Sequence, residues 1–96
     1  MLSQEQLEEK IRSIKPSLEQ EFGVDKIGYF GSYASNSQTE NSDLDILVDF
    51  SKDIGWKFFD LKDYLEDVFG LKVDLVTPRS IRKSWKESIQ NQVRYL

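Results

Sequence analysis

Three aspartates have the spacing and setting to do chemistry. Asp43 and Asp45 stand two residues apart in Ser42-Asp43-Leu44-Asp45-Ile46-Leu47-Val48, and Asp74 lies in Val73-Asp74-Leu75-Val76. On an extended strand, residues two apart leave the same face with their roots about 7 Å apart, so Asp43 and Asp45 can converge on one cation. The apolar neighbours of Asp74 predict a central strand, where an unpaired carboxylate is costly to bury and needs a partner. Three acidic groups meeting at one place raise one another's pKa unless positive charge arrives. The chain has no histidine and no cysteine, so imidazole and thiolate ligands are excluded along with any disulfide. A metal site must then be built from oxygen, which suits Mg²⁺ or Mn²⁺ with a nucleoside triphosphate as further ligand.

Gly31-Ser32 is the second chemical feature. A glycine lets a phosphate approach the backbone closely, and Ser32 adds a hydroxyl and an amide donor. The pair also suits a plain turn or helix cap. Its weight comes from position, because it precedes the loop that leads to Asp43 and Asp45 and so can face the same cleft. Asp49 and Asp53 read as a solvated rim, and Arg82, Lys83 and Lys86 as a solvated helix face. Trp85, at helical spacing, reads as partly buried in the core, whereas Trp56 in a loop suits a base, a partner or the core equally.

The elements that must position these residues follow from periodicity. Ser3 and Gln6 have capping-box spacing, and Leu7, Ile11, Ile14, Leu18 and Phe22 predict an amphipathic helix ending near Gly23, kinked or tightly joined at Pro16. Val24 to Phe30 predicts a strand delivering the chain to Gly31-Ser32, Tyr33-Ala34 a short helical turn, and Ser35 to Asn41 a loop. Asp43 to Phe50 alternates, with Leu44, Ile46, Val48 and Phe50 on one face and Asp43, Asp45, Leu47 and Asp49 on the other. Phe58, Leu61, Leu65 and Val68 predict a helix closed by Gly70, Leu71 to Thr77 a strand, and Ile81, Trp85, Ile89 and Val93 a last helix capped by Ser80. Helices and strands in this order make an α/β domain with a small sheet packed by helices. The loop between the first two strands is too short for a crossover, so the sheet is mixed or partly antiparallel.

The whole chain sets outer bounds. Its 96 residues suit a single domain over 1–96. Seventeen acidic against thirteen basic residues, a net charge of −4, disfavour general nucleic-acid binding. The N-terminal segment lacks the apolar run of a signal peptide and no stretch suits a membrane span, so a cytoplasmic location is the default expectation.

The combination Gly31-Ser32 followed by Ser42-Asp43-Leu44-Asp45-Ile46-Leu47-Val48 resembles the minimal nucleotidyltransferases of the polymerase-β-like superfamily. The likeness runs on through Phe58-Phe59-Asp60-Leu61, Tyr64-Leu65-Glu66 and Lys72-Val73-Asp74-Leu75-Val76, covering nearly the whole chain. The resemblance implies that Gly31 and Ser32 hold the triphosphate, that Asp43 and Asp45 bind two metal ions, and that Asp74 assists in metal binding and activates the acceptor hydroxyl. It implies transfer of a nucleotidyl group, AMP from ATP, with Mg²⁺. Stand-alone domains of this kind resemble the antitoxin partners of HEPN-type toxins, where the acceptor is a toxin tyrosine. One departure stands out. Where such proteins read Gly-Ser-x-Ala-Arg-Gly, this chain has Gly31-Ser32-Tyr33-Ala34-Ser35-Asn36. Asn36 suits a left-handed position, but Ser35 cannot replace the arginine's charge, and Arg79, Arg82 or Lys83 are the substitutes nearest Asp74. The rival reading from this loss is a non-catalytic module that neutralises a partner by complex formation. A nucleotide or metal sensor is a third.

Overall fold

The computed structural model describes residues 1–96. Helix α1 spans Gln4–Phe22 and opens on the expected capping box: the Gln6 amide donates to the Ser3 hydroxyl at 3.1 Å, and the Ser3 amide donates to Gln6 Oε1 at 3.0 Å. Pro16 lies inside α1 without dividing it. Both Pro16 and Arg12, whose carbonyl loses its helical donor there, are exposed, so water can satisfy the orphaned oxygen. The helix ends at Gly23 as read from the sequence.

Strand β1 (Val24–Phe30) runs straight into the four-residue helix α2 (Gly31–Ala34), and β2 (Leu44–Phe50) returns antiparallel to β1. Helix α3 (Lys57–Phe69) then crosses over to β3 (Val73–Val76), which pairs parallel with β2. Helix α4 (Lys83–Gln92) leads to a two-residue strand β4 (Arg94–Tyr95), antiparallel to β1 on its free side. The sheet is therefore mixed, in the order β3-β2-β1-β4. Two expectations change here. β3 is an edge strand rather than a central one, and Asp74 is exposed on it. Ser80 does not cap α4. It closes a turn with Thr77 instead, its hydroxyl accepting from the Thr77 amide and donating to the Thr77 carbonyl, both at 2.9 Å.

One face of the sheet is packed throughout, and the other only in part, with Leu47 buried on it. Leu7, Ile11 and Leu18 of α1 and Leu61, Leu65 and Phe69 of α3 join Ile27, Tyr29, Leu44, Ile46, Val48, Val73 and Leu75 in one core. Strand alternation turns the intervening residues, Asp45 and Asp74 among them, to the opposite face. Only α4 and β4 approach that side from the β1 edge. Gly28 permits this, since a Cβ there would stand 2.6 Å from Val93 Cγ1 and 2.9 Å from the Arg94 carbonyl oxygen. The buried Tyr29 hydroxyl donates to Glu8, and Arg94 pairs with the same carboxylate at 3.2 Å, tying β1 and β4 to α1. Burial, then Glu8, push the Tyr29 hydroxyl up to about 12. No helix is long and apolar enough to cross a membrane.

Candidate active site

The register of the sheet decides which carboxylates meet. Asp45 pairs with Phe30 of β1 on one side and with Asp74 of β3 on the other. Paired residues on neighbouring strands point the same way, with strands about 4.8 Å apart, so the two carboxylates stand side by side on the open face. Asp45 feels the consequence. Its carboxyl is pushed up from 3.8 to about 6, first by burial, then by the charges of Asp74 and Asp43, and by a hydrogen bond with Asp74 that favours the protonated form. Asp43 precedes β2 and is exposed. It lies close enough to act on Asp45 through its charge, but the three acids are not drawn into one ready three-donor group. The structure thus brings Asp45 and Asp74 together and leaves Asp43 at the margin.

Gly31 begins α2 with φ +70°, a conformation that L side chains rarely adopt, and a Cβ added there would overlap the Asp45 carboxylate oxygen. Glycine at 31 is required twice, by the backbone and by the aspartate packed against it. The turn after it is well secured. The Ser35 hydroxyl donates to the Ser32 carbonyl at 3.2 Å and lies 2.8 Å from the Ser37 hydroxyl. Asn36 adopts φ 58°, the left-handed conformation expected for it. Gln4 of α1 donates from one amide nitrogen to the Tyr33 carbonyl at 2.8 Å and the Ala34 carbonyl at 3.0 Å, fixing the end of α2. Sequence reading missed Gln4, because a bond across 29 residues leaves no local pattern.

A cleft of about 710 Å³ opens from Gly31 and Asp74 toward α4, with Arg82, Trp85, Ser88 and Gln92 on its far side. Of the three cations considered as substitutes for the lost arginine, Arg82 shares this cleft, while Arg79 lines a separate one with Asp53 and Phe58. Trp85, expected to be partly buried, is 61% exposed. Of the residues expected on one helix face with it, only Ile89 lies within α4, Ile81 preceding the helix and Val93 following it; Ile81, Trp85 and Ile89 all meet the cleft and not the core.

The donors here are carboxylates alone, the ligand type a hard divalent cation takes, and the Asp45 carboxyl is raised to about 6 by burial first and then by the charges of Asp74 and Asp43. Asp45 and Asp74, side by side, are the pair that would hold such an ion, with Asp43 standing apart from them. Apart from the metal, the same cleft offers a close-approach backbone at Gly31 and a guanidinium at Arg82, and Ser32 is the next residue in α2. Those are the requirements of a phosphate-bearing substrate.

Comparison with known proteins agrees with this chemistry. The family model described as nucleotidyltransferase domain matches residues 11–96. The protein adenylyltransferase MntA of Thermococcus cleftensis is 40% identical over 97 residues, spanning 100% of this chain and 98% of its own. A solved structure of a candidate minimal nucleotidyltransferase superposes with a TM-score of 0.84 at 29% identity, covering 99% of this chain and 97% of that one. A toxin-antitoxin crystal structure with AMP-PNP contains a chain matched at a TM-score of 0.69 and 25% identity, over 98% of this chain and 72% of that one.

Proposed function

Starting from the fact that this chain is a nucleotidyltransferase and belongs to the nucleotidyltransferase domain family, we propose that it transfers AMP from ATP to a hydroxyl of a protein partner. The observation that carries the reading is the in-register pairing of Asp45 with Asp74, with Gly31 packed against Asp45. That arrangement puts a phosphate-approach point and two carboxylates within one side chain's reach. Likeness to an adenylyltransferase supports AMP as the transferred group, and likeness to a toxin-antitoxin chain supports a toxin as partner. The acceptor in this reading is a tyrosine of a HEPN-type toxin, and the chain, acting as one domain over residues 1–96 in the cytoplasm, is the antitoxin.

Gly31 and Ser32 hold the triphosphate by backbone approach and hydroxyl donation. Arg82, on the facing wall, supplies the cation that Ser35 lacks. Asp74, exposed at the sheet edge, accepts the acceptor's proton as the acceptor oxygen bonds to the α-phosphorus and the bond to pyrophosphate breaks. Mg²⁺ or Mn²⁺ held by Asp45 and Asp74 supplies charge stabilisation to the phosphoryl oxygens when bound. Gln4 and the Ser35 hydroxyl keep α2 from shifting under the substrate.

The test is incubation with labelled ATP, Mg²⁺ and the co-purifying partner, repeated with Asp43→Asn/Asp45→Asn. Mg²⁺-dependent labelling of the partner, lost in the double variant, is the expected result. Tight partner binding without transfer by the native chain would instead establish the non-catalytic module that the loss of arginine at Ser35 favours.

A further inference from the structure

Helix α4 has an apolar stripe with no core to bury it. Exposed Trp85 and half-buried Ile89 stand four residues apart on α4, with half-buried Ile81 just ahead of the helix, and α4 contains no buried residue. Water-facing stripes of this kind are unfavourable unless a ligand or partner covers them. What faces this one is the 710 Å³ cleft whose opposite wall is Gly31 and Asp74, a volume within the range of small-molecule sites. The Arg82 guanidinium lies 6.0 Å from the Trp85 ring centroid, so a phosphate-seeking cation and a broad flat ring stand together. A nucleotide consists of those two complements. At the rim, the Gln92 amide donates to the Ser88 hydroxyl at 3.3 Å, and Gln92 retains a carbonyl oxygen with which to meet a base edge.

We infer that this wall is the base subsite: the donor nucleotide's base stacks on Trp85, Ser88 and Gln92 address its edge, and Arg82 faces its phosphates. Continuity selects the occupant. A nucleotide whose α-phosphate lies beside Asp74 carries its nucleoside into the cleft that contains Asp74, and Trp85 forms the aromatic wall of that cleft. The inference rests on the reading of the chain as an ATP-dependent transferase.

The chain has two tryptophans, and Trp56 lines neither the cleft nor the core, so Trp56→Phe leaves Trp85 as the sole emitter. In Mg²⁺ buffer, ATP should quench that emission and inorganic tripolyphosphate should not. By calorimetry, Trp85→Ala should weaken ATP about ten-fold and leave tripolyphosphate unchanged, with Trp85→Phe restoring most of the loss. Because Trp85 is exposed, its truncation spares the core. Unchanged ATP affinity in Trp85→Ala, or equal loss for both ligands, overturns the subsite while partner labelling still upholds the transferase. A native chain that binds neither ligand overturns both.

Discussion

Asp45→Asn should make the metal-free protein more stable and the enzyme inactive. The Asp45 carboxyl is held at about 6 against an ordinary 3.8, so between those values the folded chain binds more protons than the unfolded one. Stability from this group is therefore present below about pH 4, falls as pH rises to about 6, and stays low above it. Undiminished, the displacement amounts to about 3 kcal/mol at neutral pH. The side chain is partly open to solvent, which screens that to about 1–2 kcal/mol. Asparagine removes the charge, keeps the shape, and its amide can donate to Asp74. For a domain of this size the gain is a rise in Tm of roughly 5–10 °C at pH 7 in EDTA, shrinking to nothing near pH 3.5. Thermal unfolding followed by circular dichroism across pH 3.5–7.5 measures it, with partner labelling as the activity readout. Added Mg²⁺ should narrow the gap by stabilising the native chain more than the variant. A variant less stable than the native chain at pH 7, or a difference that does not change with pH, would refute the account of the carboxylate pair.

Gly31→Ala should lower stability at pH 7 by about 1–2 kcal/mol from the strained positive φ alone, read as a fall in Tm, and abolish labelling by displacing the Asp45 carboxylate; activity within two-fold of native would sink the packing argument. Gln4→Ala removes both hydrogen bonds to the end of α2, so kcat should fall about ten-fold with most ATP affinity kept, a split that steady-state kinetics resolves. Arg82→Gln should weaken tripolyphosphate and ATP alike by about ten-fold, whereas Arg79→Gln, in the other cleft, should change neither in calorimetry. Tyr29, held at about 12 against an ordinary 10, contributes stability that is complete below pH 10 and lost as pH rises toward 12; Tyr29→Phe should flatten the Tm profile between those limits, and an unchanged slope would show another group responsible.

The parts of the fold that were legible in sequence are those bounded by local chemistry. β1 is legible to its last residue because Gly23 ends one helix and Gly31 starts another on either side of it. β2 is legible to within one residue because Leu44, Ile46, Val48 and Phe50 recur at every second position. Its pairing was not legible, and neither was the edge position of β3: Val73-Asp74-Leu75-Val76 looks the same on a central strand and on an edge whose one buried face is covered by α3. β4, two residues long, is held by the gap over Gly28 and by Arg94 reaching Glu8, neither of which has a local signature. The site divides the same way. Gly31, Ser32, Asp43, Asp45 and Asp74 were named from motif spacing, but the intimacy of Asp45 with Asp74 is a matter of register. The spacing of Trp85 predicts its helix but not its surroundings, since periodicity reports that a stripe exists and not what stands opposite it.

The unequal packing of the sheet's two faces has a consequence for how such a chain can change over time. Along β2, Leu44, Ile46 and Val48 answer to folding, while Asp45 and Asp49, on the other parity, answer to whatever occupies the opposite face. Because the two sets interleave by parity, the same short segment is exposed to two nearly independent selective pressures. A lineage can alter the chemistry at alternate positions without disturbing the core beneath, and can repack the core without retuning the chemistry. The vulnerability is to length. A single-residue insertion or deletion within β2 exchanges the two sets at one stroke, so drift by substitution is open to this strand and drift by slippage is closed.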